Sequence, residues 1–271
     1  MQLNLTPVVK TLLLINVGIF FLQFLSIDIE NLFGLRYLAS SQFYPHQFLT
    51  YMFTQKETMH LLSNMFGLFT FGPMLERFWG GQRFLFFYLF TGIGASLLYT
   101  GINAYQLQDL QQGTEAYVQS PTPTHLRSYV REFAAGELTL QSYEIIETFN
   151  SKFEDNALDP NLKNESIGIA RKIYRTVYNG IVNIPMVGAS GAIFGILMAF
   201  GLLFPNTELF LLFFPFPIKA KYFVAMYGLY ELFAGVRRVP GDNVAHFAHL
   251  GGMLFAFILI RYWDNKRDKF Y

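Results

Sequence analysis

A serine attacks a carbonyl only when a neighbouring base takes its proton, and imidazole is suited to that task near neutral pH. The sequence offers both partners. Ser190 lies in Gly188-Ala189-Ser190-Gly191-Ala192-Ile193-Phe194-Gly195, and His246 and His249 lie in Val244-Ala245-His246-Phe247-Ala248-His249-Leu250-Gly251-Gly252. A tetrahedral intermediate also needs donors aimed at its oxygen. His60 and Asn64, in Thr58-Met59-His60-Leu61-Leu62-Ser63-Asn64, are four apart and share one helix face. With the Ser190 backbone N–H they could form an oxyanion hole. The i, i+3 spacing of His246 and His249 also permits metal ligation. No carboxylate is expected beside them, and the His-Glu-x-x-His of zinc proteases is absent. Glu231 is expected near the end of a weakly apolar segment, bonded to a loop or water. Glu76 and Arg77, next to Trp79-Gly80-Gly81, read as anchors at the opposite membrane face. A chain without cysteine has no thiol nucleophile, disulfide or Cys-type zinc site.

The elements that must carry these groups are set by composition. Of 271 residues, 52% are hydrophobic and 14% charged, with 31 Phe and 16 Tyr. Soluble domains carry about 25% charged residues, so this chain has too little polar surface to cover its apolar mass in water. The net charge of +1 gives no bulk field for nucleic acid or anionic lipid. The expected class is an all-α polytopic membrane protein. Runs approaching the roughly 20 apolar residues of a membrane helix fall at Thr11–Ile27, Thr58–Leu75, Phe84–Gln106, Ile184–Pro205, Ala220–Val236 and Asn243–Ile260, giving six spans. No small-residue cleavage site follows the first, which reads as a retained span rather than a signal peptide. Leu209–Pro217 is too short to cross and is broken by Pro215 and Pro217, so an interfacial hairpin is expected there. With the N-terminus cytoplasmic, the inner side holds Lys10, Arg77, Arg83, Lys219, Lys221, Arg261, Lys266, Arg267 and Lys269. The short outer loops hold Arg36, Lys56, Arg237 and Arg238. This asymmetry favours both ends inside.

Under that layout, spans two, four and six enter from the outer side, and His60, Ser190 and His249 each fall a few residues past the entry. At about 1.5 Å per residue they share one shallow layer. Polar side chains in hydrocarbon are costly and are site hypotheses by default. For Ser190 to meet His249, spans four and six must lie nearly backbone to backbone. Gly191-x-x-x-Gly195 is expected to face Gly252-x-x-x-Ala256 in a small-residue crossing.

Residues 102–183 differ from the rest, with ten acids and seven bases and turn signals at Pro121-Thr122-Pro123 and Asp159-Pro160-Asn161. Ile169, Ile173 and Val177 recur at a helical period. A mainly helical soluble insert is expected between spans three and four. It divides the membrane core into residues 1–101 and 184–271, and it is either a solvated connector or a docking site for a partner.

Taken together, His60-x-x-x-Asn64, Gly188-x-Ser190-Gly191 and Ala248-His249-x-Gly251-Gly252, in this order on spans two, four and six, resemble the rhomboid family of intramembrane serine proteases. The resemblance implies a six-transmembrane-helix rhomboid-like bundle. It makes Ser190 the nucleophile and His249 the general base of a dyad with no acidic third member. It makes His60, Asn64 and the Ser190 amide the oxyanion hole. Phe194 matches a position whose ring packs on the catalytic imidazole, Gly252 the small residue that lets the sixth helix approach, and Gly188 and Gly191 the glycines flanking the nucleophile. It also implies a water-filled cavity open to the outer face, lateral entry near the fifth helix, single-span membrane-protein substrates and no metal or cofactor. The setting expected is a bacterial plasma membrane. Two features depart from the pattern: the long insert, and His246 as a second histidine, although the Ala-His-x-Gly-Gly context favours His249. Two alternatives of other classes are a silent relative that binds or escorts membrane segments, and a metal carrier using His60, His246 and His249.

Overall fold

The structure is a computed structural model and describes residues 5–25, 28–134, 138–210, 216–237 and 244–267. Ile27, Arg238, Asn243, Lys269 and the middle of the expected Leu209–Pro217 hairpin lie outside the described residues. The chain divides into two compact units. One comprises Met1–Thr100, Pro185–Gly235 and Ala245–Tyr271, and the other Gly101–Ile184 with Val236–Val244.

The first unit opens with α1 (Pro7–Leu22). Pro7 suits the first helical position because it lacks the N–H that would be left unbonded there. The next two amides are bonded from a distance: Glu76 Oε1 accepts from the Val8 N–H at 3.0 Å, and Oε2 from the Val9 N–H at 2.9 Å. Glu76 is therefore a buried cap for α1, in place of the expected membrane-face anchor. The short helices α2 (Ile29–Phe33) and α3 (Gln47–Thr50) lead to α4 (Thr58–Trp79). Gly80, at φ +81°, closes α4 and turns the chain into α5 (Gly81–Gln119), a 39-residue helix. At about 1.5 Å per residue it is about 58 Å long and continues well beyond Gln106, where the third span is expected to end.

The second unit holds the far part of α5 with α6 (Pro123–Phe133), α7 (Leu140–Asp155) and α8 (Pro160–Asn183). Each of these three helices starts at a polar N-cap, Thr122, Thr139 or Asp159, whose side chain accepts a backbone N–H of the first turn. Ala170, Ile173 and Val177 of α8 are buried with Leu126, Tyr129 and Val130 of α6 and with Leu110 and Tyr117 of α5. Ile169 packs at the margin of that core. Tyr129 Oη is bonded to Thr114 Oγ1 at 2.8 Å and donates to the Ala170 carbonyl. Burial raises the phenol of Tyr129 above its ordinary pKa.

The chain returns to the first unit through an extended segment. Met186 and Leu35 exchange both backbone hydrogen bonds at 2.8 Å, and the Gly188 N–H donates to the Tyr51 carbonyl at 3.0 Å. These bonds hold residues 185–188 out of the helical path, so α9 (Ser190–Leu203) starts six residues later than the expected Ile184. The β-strands β1 (Glu208–Leu209) and β2 (Ile218–Lys219) pair antiparallel at the flanks of the expected hairpin. α10 (Ala220–Arg237) and α11 (His246–Arg267) complete the unit.

α9 is buried along nearly its whole length. Leu68 and Leu75 of α4, Phe84 and Phe87 of α5, and Ile196 and Ala199 of α9 form one core with Val9 and Leu12 of α1. Among the described residues one helix, Gly81–Gln119, is long and apolar enough to cross a membrane, while Pro7–Leu22 and Ser190–Leu203 are apolar but shorter. The hydropathy of α4, α10 and α11 is diluted by the same polar residues that make the chain chemically interesting.

Candidate active site

Ser190 is the first residue of α9, where the leading amides have no intrahelical acceptor and point out of the helix end. Gly188 precedes it at φ +124°, a backbone conformation that side chains with a Cβ rarely adopt. Space forbids a side chain there as well: a methyl at Gly188 would stand 2.6 Å from His60 Cε1, 2.7 Å from His60 Nε2 and 3.6 Å from Ser190 Oγ. The His60 ring thus lies over Gly188, beside the serine. The Lys56 N–H donates to His60 Nδ1 at 3.4 Å, which puts the proton of the neutral ring on Nε2, the edge facing Gly188.

His249 comes from the first turn of α11. Its Nε2 accepts the Ser190 hydroxyl proton at 2.8 Å. The approach depends on glycine. A methyl at Gly252 would fall 1.8 Å from the Gly191 carbonyl oxygen, and one at Gly251 2.9 Å from Ala95 Cα. α11 therefore lies against α9 and α5 at backbone contact. The expected crossing holds for Gly191 and Gly252. Gly195 instead packs on Thr91 of α5, which stands 2.7 Å from where its Cβ would be. The Phe194 ring stacks on the His249 ring at 4.1 Å and 6° and on the Tyr227 ring of α10 at 5.2 Å and 14°.

Asn64, one turn after His60, is buried. Its Nδ2 donates to Gln55 Oε1 at 2.8 Å; Gln55 Nε2 donates to Asn16 Oδ1 at 2.8 Å, and Asn16 Nδ2 to the Leu12 carbonyl at 2.9 Å. Gln55 and Asn16, both fully buried, were not among the expected site residues. Asn16 carries a visible signal, as an amide inside a leucine-rich run. Gln55 carries none, because it sits between elements.

One expectation is overturned. Glu231, placed near a loop and given no part beside the histidines, is buried against both of them. The His249 Nδ1–H donates to Glu231 Oε2 at 2.9 Å, and the His246 Nδ1–H donates to the same oxygen at 2.6 Å. A carboxylate is thus bonded to the far side of the imidazole that accepts from Ser190, and the pair is not a bare dyad. The metal alternative changes membership as well. The ligand atoms of Glu231, His246 and His249 lie within 4.8 Å of one another, and His60 is not in that set. Two imidazoles and a carboxylate are a donor set that suits zinc.

A family model of the Rhomboid domain matches residues 42–110 and 166–263. The chain belongs to the rhomboid family, and it is an integral membrane protein of largely helical fold. It is similar to RHOMBOID-like protein 12, mitochondrial, of Arabidopsis thaliana, 34% identical over 79 residues that make up 29% of this chain and 24% of that protein. It is also similar to Rhomboid-like protein 11, chloroplastic, of the same plant, 34% identical over 92 residues, 32% of this chain and 30% of that protein. The chain thus spans between 24% and 30% of the length of these relatives. Residues 111–165 fall outside the family match.

Proposed function

We propose that the protein is an intramembrane serine endopeptidase that cleaves single-span membrane proteins in or near their transmembrane segments. The observation that carries this reading is the 2.8 Å hydrogen bond from the Ser190 hydroxyl to His249 Nε2, made where α9 and α11 touch. Ser190 Oγ attacks the scissile carbonyl carbon while His249 Nε2 takes the hydroxyl proton. The oxyanion is met by the Ser190 amide, by His60 Nε2–H and by the N–H of Asn64 that Gln55 does not hold. Collapse breaks the C–N bond, and His249 returns the proton to the leaving amine. Water, deprotonated by the same nitrogen, then hydrolyses the ester on Ser190. Nothing in this sequence calls for a metal, and EDTA should leave turnover unchanged.

The setting we propose is six spans, α1, α4, the first part of α5, α9, α10 and α11. The outward Met59, Leu62 and Phe66 of α4 and Tyr222, Met226 and Leu229 of α10 support contact with lipid. The Lys and Arg distribution supports both ends on the cytoplasmic side, and we place the chain in a bacterial plasma membrane; the two plant relatives carry organellar names. The 102–183 insert then lies outside the bilayer, as a solvated connector or a docking site for a partner.

Purified protein in detergent should cut a single-span reporter, and Ser190→Ala should lower kcat at least 10³-fold, as loss of a serine nucleophile does. Mass spectrometry should find a fluorophosphonate on Ser190 and on no other serine. Reporter binding without cleavage or labelling would replace this reading with that of a silent escort.

A further inference from the structure

Resting on that reading, we propose that Glu231 is a positioning residue for His249, so that the reaction runs on a Ser190–His249–Glu231 triad braced by His246. A neutral imidazole carries one proton, and it accepts from a serine only when that proton is on the other nitrogen. A carboxylate is an acceptor only. The 2.9 Å contact to Glu231 Oε2 therefore places the proton of His249 on Nδ1 and leaves the Nε2 lone pair toward Ser190. When Nε2 takes the serine proton, the ring becomes a cation and the carboxylate stands against it.

The surroundings argue that this is the purpose of the group. Glu231 is 3% exposed, and a buried carboxylate is costly where an apolar side chain would pack as well. Among the described residues its two hydrogen-bond donors both come from α11. His246 donates at 2.6 Å to the oxygen that holds His249, fixing that oxygen from a second side. α10 reaches the same imidazole directly through Glu231 and, one turn earlier, indirectly through Tyr227, which stacks on Phe194 of α9. Glu231 holds its Nδ1 edge, and Phe194 covers its face.

The test compares Glu231→Gln and Glu231→Leu with the wild-type full chain in detergent, labelled with 15N-histidine and assigned by the His249→Ala spectrum. Wild-type His249 should show Nδ1 protonated and Nε2 bare. Glu231→Leu should lose that pattern and lower kcat about 10⁴-fold at unchanged KM, the loss seen when a serine-protease triad loses its carboxylate. Glu231→Gln can turn its amide NH2 toward Nδ1 and favour the wrong tautomer, so it too should lose the pattern and lower kcat by up to about 10⁴-fold. A Glu231→Leu protein with wild-type tautomer and kcat within twofold overturns the proposal. If that variant does not fold, an unchanged kcat in Glu231→Gln overturns it. Stoichiometric zinc in the purified protein, lost in either variant, would reassign the three side chains to a metal and also overturn it. The tautomer readout needs no turnover, so a protein that cleaves nothing yet shows the pattern would defeat the protease reading and leave the positioning role standing.

Discussion

Gly188 holds together three properties of the site: a left-handed backbone, the seat of the His60 ring and the approach to Ser190. Gly188→Ala meets a conformational penalty of about 1–3 kcal/mol and drives a methyl to 2.6 Å from His60. The variant should retain its fold, melt at a lower temperature and lose about 10–100-fold in kcat against the reporter, because the His60 donor is displaced. At this scale much was legible. Ser190, His249 and His60 stand in motifs whose residue types announce proton transfer, and the structure brings those three side chains to one place. Glu231 was legible as a polar intrusion in a greasy segment, but its partners lie 15 and 18 residues away on another helix. Nothing local in the sequence says which faces of α10 and α11 meet. Asn16 is readable by the same rule, as an amide inside the apolar run Thr11–Ile27.

Two helix contacts decide the shape of the unit that holds the candidate site. The α9–α11 crossing leaves 1.8 Å between the Gly191 carbonyl oxygen and the position of a Gly252 methyl. Gly252→Ala must push the helices apart, at about 1–3 kcal/mol for overpacking. The Ser190–His249 bond should lengthen with them, and fluorophosphonate labelling should slow at least tenfold. The second contact is the Glu76 cap on α1, remote from the chemistry. Glu76→Gln removes the charge and should cost about 1–2 kcal/mol, seen as a lower thermal midpoint with kcat unchanged. Helix existence followed from the apolar runs and from the turn signals at Pro121-Thr122-Pro123 and Asp159-Pro160-Asn161. Boundaries did not. The start of α9 is set by backbone bonds from residues 185–188 to Leu35 and Tyr51, partners more than a hundred positions away that no local pattern reveals.

The chain has two units, each with its own core, and the family match enters both. The family match skips residues 111–165, and that stretch includes α6, α7 and the last turns of α5. Leu126 is fully buried in the second core, and Leu126→Ala should cost about 2–5 kcal/mol. Hydrogen exchange should then quicken across residues 101–184, with labelling of Ser190 unaffected. The exposed Arg127–Glu147 and Arg127–Glu154 pairs should add little, as surface ion pairs do. Charge density and turn signals in the sequence marked this stretch as different in kind. They could not show that α5 would run on unbroken from the apolar region into it, because a helix that changes from apolar to polar keeps the same backbone and leaves no stop signal.

The chain has two tryptophans, and they touch: the Trp79 and Trp263 rings meet edge to face at 5.3 Å, with the Arg83 guanidinium 3.9 Å above Trp263. Trp263 lies fourteen helical positions beyond His249, about 21 Å along the axis. Tryptophan emission is therefore a single optical reporter at the remote end of the bundle, shared by two touching indoles with a guanidinium over one of them. A fluorescence melt will record when the tails of α4 and α11 part, and a ligand that perturbs only the hydroxyl end will be dark to it.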